Sequence, residues 1–141
     1  MTKDYIGTKI ITAWPELRDG RDGYAVKYSD GYTSWSPADT FEDAYRAIEG
    51  VAQALTFGDA LVLLKAGKKL ARRGWNGQGM FVFLVSGSTF RVNRAPLLGI
   101  YPEGTEINYR PHLDLRAADG SIATWAPSGS DALANDWMVV E

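Results

Sequence analysis

Cysteine is absent, which excludes disulfides and thiolate metal sites and suits a reducing compartment. Histidine occurs once, as His112, so a zinc site built from several histidines is excluded and a Ser-His-Asp triad could form only there. Neither sign of charge is in excess: 15 Lys and Arg stand against 17 Asp and Glu, for a formal net charge of -2. No global basic field draws in long nucleic acid, and an anionic ligand needs a local pocket. The apolar runs are too short to cross a bilayer, and the N-terminal MTKDYIGTK is too polar for a signal peptide, so no membrane association is expected. Gly74, Gly77 and Gly79 lack the following helix that a phosphate-binding glycine loop requires.

The 141 residues, 45% hydrophobic, suffice for one ordinary domain or two small ones. Residues 1–50 read as a small ββα-type accessory module. Gly7–Trp14 is a strand, and Tyr24–Tyr28 alternates as a half-buried strand. Asp30-Gly31 is a two-residue hairpin signal leading into a return strand at Thr33–Trp35. Ser36 as N-cap, Pro37 at the first helical position, and Phe41, Ala44, Tyr45 and Ile48 at helical spacing predict a helix ending at Gly50. Trp14, Tyr24, Tyr28, Tyr32 and Trp35 supply a small core or a protein-contact face.

Residues 56–141 read as the main domain. Thr56 and Asp59 form a cap-like box for a helix with Phe57, Ala60, Leu61 and Leu64 on its apolar stripe and Gly67 as its stop. Strands follow at Lys69–Arg73 and Met80–Val85, interrupted by Gly74-Trp75-Asn76-Gly77. Thr89–Thr105 is a long irregular segment, and loops of that length tend to be functional or tied down. Ile107–Arg116 alternates as one strand whose Pro111 marks an edge or bulge. Asp119-Gly120 turns into a strand at Ser121–Ala126, a helical turn is expected at Asp131–Ala134, and Asp136–Glu141 is the last strand. The fold class expected is α+β: a small, twisted, antiparallel sheet with one helix, preceded by the β-hairpin-plus-helix module.

The strand break carries the most chemistry. Trp75 on a glycine-flanked loop is either a plug for the core or a platform for a flat ligand. As a platform it would stack a base, worth ~1–3 kcal/mol. Asn76 would then read a base or ribose edge, and Arg72 or Arg73 would pair with phosphate. Arg91, Asn93 and Arg94 are a second basic, amide-bearing cluster, read as a phosphate or sugar contact or as a solvated loop. Tyr109 and Trp125 suit either core or ligand contact. His112 beside Asp114 has the composition of an acid-base dyad, yet no nucleophile or second base is spaced to join it. Asp131 and Asp136 read as caps of a helical turn, because two carboxylates without histidine or cysteine partners are a weak metal signal. No catalytic residue, metal or cofactor is expected.

The pieces TFGDAL, ARRGWNGQGMFVFLVSGSTF, VNRAPLLGIYPEGTEINYRPHLDLRAADGSIATWAPS and SDALANDW, in order from Thr56 onward, resemble the phage Thoeris anti-defense protein 2 family. The combination of GWNG, NYRPH and DW is far more specific than any one of them. The resemblance implies a sponge that sequesters a cyclic nucleotide immune signal without cleaving it. The signal would be a glyco-cyclic ADP-ribose, a cyclic oligonucleotide or both. It also implies a homotetramer in the host bacterial cytoplasm, with pockets between subunits. By motif position it assigns Trp75 to adenine stacking, Asn76 to the ligand or its loop, and Arg72 to phosphate, and it places Asn93, Arg94, Tyr109 and Trp125 in matching segments. Ala95 and Thr124 stand where the pattern prefers proline, which bears on loop shape and ligand choice. A protein-interaction or virion-associated module without a nucleotide ligand is the alternative.

Overall fold

The computed structural model describes residues 1–141, which separate into two compact units, Met1–Arg46 and Ala47–Glu141. In the first unit, β1 (Thr12–Pro15), β2 (Gly23–Lys27) and β3 (Thr33–Pro37) form an antiparallel sheet in that order. Asp30-Gly31 does turn the chain, but in a three-residue loop and not the two-residue one expected: the Tyr28 N–H reaches the Tyr32 carbonyl at 2.9 Å, and of the pair only Gly31 has a positive φ, at 90°, while the Asp30 carboxylate accepts the Tyr32 N–H at 2.9 Å. The short helix α1 (Ala38–Ala44) lays Phe41 on Tyr24, with ring centroids 4.2 Å apart, and Tyr45 stacks on Phe41 at 5.0 Å. On the strand side, the Trp35 indole donates to the Glu16 carbonyl at 2.9 Å and lies where any side chain at Gly23 would project.

Three boundaries differ from expectation here. The first strand begins at Thr12, because its partner β2 ends at Lys27, where the turn takes over. Ser36 and Pro37 belong to β3, paired with Tyr24 and Gly23. β3 is an edge strand, so the missing proline N–H costs the ladder little. The helix stops at Ala44, since Tyr45 is already extended at φ -131°. Its apolar spacing continues to Ile48 only as a pattern.

In the second unit the expected capping box is present at the start of α2 (Phe57–Lys65). The Thr56 hydroxyl accepts the Asp59 N–H at 3.1 Å, and the Asp59 carboxylate accepts the Thr56 N–H at 3.0 Å. Gly67, at φ 90°, ends the helical segment. The chain continues as β4 (Lys69–Arg72), β5 (Phe81–Val85), β6 (Ser88–Arg91), β7 (Glu106–Tyr109), β8 (His112–Arg116) and β9 (Ile122–Trp125). The helix α3 (Gly129–Leu133) and β10 (Trp137–Val140) close it. Five strands form one antiparallel sheet in the order β10-β4-β5-β8-β9. The other two, β6 and β7, pair as a separate ribbon.

This is the antiparallel α+β architecture that the patterning predicts, with three differences. The alternation over Ile107–Arg116 is divided at Arg110-Pro111 between the ribbon and the main sheet. Proline cannot donate to a ladder, and the chain changes partner there, from β6 to β5. The irregular segment also starts as a strand, β6, and the helical turn near Asp131 begins two residues earlier than expected as α3, whose capping box pairs Ser128 with Asp131.

The core lies between α2 and one face of the main sheet. Leu55, Ala60, Leu63, Leu64, Leu70, Val82 and Trp137 are buried there. α2 packs chiefly on β4, β5 and β10. The opposite face carries Phe81 and Phe83 in mutual contact at 5.9 Å, with the Lys69 ammonium 4.9 Å over the Phe81 ring. The two edges of this sheet differ. Outside β10, Leu55 bridges Trp137 through two main-chain hydrogen bonds and the buried Gln53 side chain accepts the Val139 N–H at 2.8 Å. Outside β9 there is no strand.

Candidate functional site

The core ends in an aromatic cluster, and Trp75 is its outermost member. Its half-buried ring meets Trp137 edge-on, with centroids 5.5 Å apart at 78°, and Trp125 at 6.4 Å and 71°. Trp125 meets Trp137 at 6.0 Å, and Phe57 from the first turn of α2 touches both. Edge-to-face geometry sets the positive rim of one ring against the negative face of another. Trp75 is therefore a plug that leaves a side open: part of its surface completes the core, and part remains open to solvent.

The loop that carries Trp75 is tied down by a network of charges. The Arg72 guanidinium donates from Nε to Asp136 Oδ1 at 2.9 Å and from Nη1 to Asp131 Oδ1 at 3.0 Å. Asp136 Oδ2 accepts the Gly74 N–H at 3.1 Å, and the Asp136 carbonyl accepts the Arg73 N–H at 2.9 Å. Asp131 Oδ2 accepts the Ser128 N–H at 3.1 Å, and the Asp131 carbonyl accepts the Trp137 indole N–H at 2.9 Å. The Arg73 guanidinium donates to the carbonyls of Val51 and Gln53. At the far end of the loop, Arg116 Nη1 donates to the Gly79 carbonyl at 2.8 Å.

These bonds set the local electrostatics. Burial, the largest single influence, pushes both aspartate carboxyls upward, but hydrogen bonds and charge acting together carry each below the usual carboxylate range. For Asp131 these are the Ser128 N–H and Arg72, and for Asp136 they are Arg72 and the Gly74 N–H. The hydrogen bonds that Arg72 donates to Asp136 and then to Asp131 raise its guanidinium further still. Arg72 thus enters the site with its charge already matched by two carboxylates.

Of the residues singled out in the sequence, Arg72, Trp75 and Trp125 come together. Asn76 is exposed on the same loop. Tyr109 packs edge-on against Phe90 in the β6–β7 ribbon, at 5.2 Å, with half its surface exposed. Asn93 and Arg94 are exposed just beyond that ribbon. His112 and Asp114 lie on the sheet face opposite the tryptophan cluster. His112 Nδ1 is 3.1 Å from the Arg110 carbonyl, and Nε2 is 3.3 Å from Asp114 Oδ1, close enough for an ion pair but misaligned for a hydrogen bond. Phe83 and Thr124 are the cross-strand neighbours of Asp114, and no acidic group in the unit groups with them into a metal site. The residues that sequence reasoning gave too small a part are Asp131, Asp136 and Trp137. For Asp136 and Trp137 the signal was the ANDW run, an acid directly before a tryptophan, which composes with Arg72 only in three dimensions.

The fold and this site define a small antiparallel α+β domain that presents a tryptophan-walled, arginine-braced loop beside its core. Residues 55–140 match the model of the Tad2-like family, the Thoeris anti-defense 2-like domain. The chain belongs to that family. It is 37% identical over 86 residues to Thoeris anti-defense 2 of Bacillus phage SP01, a match covering 61% of this chain and 94% of the relative. Residues before 55 lie outside the match.

Proposed function

We propose that the protein is a phage anti-defence sponge. It binds a cyclic nucleotide immune signal, a glyco-cyclic ADP-ribose or a cyclic oligonucleotide, and sequesters it intact in the host cytoplasm. The observation that carries the reading is Trp75: a half-open indole on a braced loop with Trp125 beside it. Such a ring offers a flat apolar wall for a base, and a stack there is worth ~1–3 kcal/mol. Asn76, exposed on the same loop, suits the polar edge of the ligand. Holding a ligand without altering it needs walls and donors but no nucleophile.

The role first read for Arg72 narrows. With two of its nitrogens on carboxylates it braces the loop, and phosphate contact falls to cations such as Arg94 beyond the ribbon. Tyr109, Asn93 and Arg94 reach a ligand on Trp75 if the pocket is completed by another subunit of a homotetramer.

The test is direct. The protein is incubated with extracts containing each immune signal, washed and heat-denatured, and the released molecule is identified. Recovery of the unaltered signal is expected. Recovery of a cleaved product would make the protein an enzyme. If no nucleotide shifts the melting temperature and a host protein co-purifies instead, the interaction-module reading replaces this one.

A further inference from the structure

We propose that Asp136 is a positioning residue for Trp75, presetting the Gly74–Trp75 turn in the free protein so that a ligand meets a wall already in place. Its binding arm rests on the reading of Trp75 as a stacking platform. Its structural arm stands without that reading.

Three atoms of Asp136 act on three consecutive residues. Its carbonyl takes the Arg73 N–H, its Oδ1 takes Arg72 Nε, and its Oδ2 takes the Gly74 N–H. Each carboxylate oxygen thus serves a different donor, and an amide at this position could accept from only one of them. Gly74 fits the arrangement closely, since a Cβ there would lie 3.0 Å from Asp136 Oδ2. Asp131 backs the same arginine from the other side and divides its oxygens in the same way, one for Arg72 and one for the cap of α3. The next residue, Trp137, is the ring on which Trp75 rests. One dipeptide, Asp136-Trp137, therefore supplies both the main-chain tether and the side-chain support of the platform. A wall fixed beforehand spares the ligand the cost of ordering it.

The experiment uses the full chain carrying 15N-labelled tryptophan indoles, with Trp75→Phe to assign the Trp75 signal. Asp136→Asn is compared with Leu63→Ala, which truncates the buried face of α2 and leaves the Asp136 hydrogen bonds to the loop in place. In Asp136→Asn the Trp75 indole signal is expected to broaden and to exchange with solvent faster, while in Leu63→Ala it keeps its wild-type position. Affinity for glyco-cyclic ADP-ribose, measured by calorimetry below both melting temperatures, is expected to fall about tenfold in Asp136→Asn only. An unchanged Trp75 signal in Asp136→Asn overturns the proposal, as does an equal loss of affinity in the two variants. If Asp136→Asn does not fold, Gly74→Ala crowds the same carboxylate and is expected to give the same indole signature. If the wild type binds no nucleotide, the platform reading fails, and the indole spectra of the free variants still decide whether Asp136 positions the loop.

Discussion

Replacing Trp75 with alanine separates the two roles that its geometry combines. The ring makes edge-on contacts with Trp137 at 5.5 Å and Trp125 at 6.4 Å, and such pairs contribute ~0.5–1.5 kcal/mol each beyond simple area burial. Full truncation of a wholly buried tryptophan costs about 3–5 kcal/mol, so a half-buried one with two ring partners should cost roughly 2–3 kcal/mol. For a unit of this size that corresponds to a drop in Tm of roughly 10–20 °C, read by calorimetry or circular dichroism. Ligand capture should be lost altogether, measured well below the lowered Tm. Trp75→Phe should recover part of the stability and little of the capture, because a smaller ring keeps one edge contact but offers less surface. A melting temperature within a degree of wild type would refute the packing argument. Full retention of capture would refute the platform.

Other consequences can be measured independently. The lowered carboxyls of Asp131 and Asp136 favour the folded state above the unfolded carboxylate pKa, and that contribution is lost as pH falls through their lower folded values. Wild type should therefore be more stable than Asp131→Asn at neutral pH, and the gap should close in acid melts below about pH 4. Thr56→Ala removes one half of the α2 capping box and should lower stability by ~1 kcal/mol in denaturant titration. Gly23→Ala drives a methyl group into the Trp35 ring and the Ser36 carbonyl, so circular dichroism should show the three-stranded sheet of the first unit disrupted.

Elements whose cause is local could be read from the chain. α2 needs only Thr56, Asp59, an apolar stripe and Gly67, all within twelve residues of one another. The Asp30-Gly31 hairpin is local in the same sense. The division of Ile107–Arg116 is not, since alternation runs unbroken through Pro111 and only the choice of partner, β6 or β5, separates the halves. The site follows the same rule. Arg72 and Trp75 are neighbours in sequence and were legible as one loop. Their braces lie about sixty residues away, 59 to Asp131 and 64 to Asp136, so the charge of Arg72 was visible and its neutralisation was not.

The unequal edges of the main sheet limit how copies of this unit can grow. Leu55 and Gln53 occupy the outer side of β10, while β9 still offers main-chain donors and acceptors along its length. Strand addition through this sheet is thus one-sided. Two copies joining β9 to β9 would bury the open edge of each and leave only blunted ends, so the ladder terminates at two and cannot propagate into a fibre. One-sided pairing of this kind is a built-in stop against runaway polymerisation through the sheet.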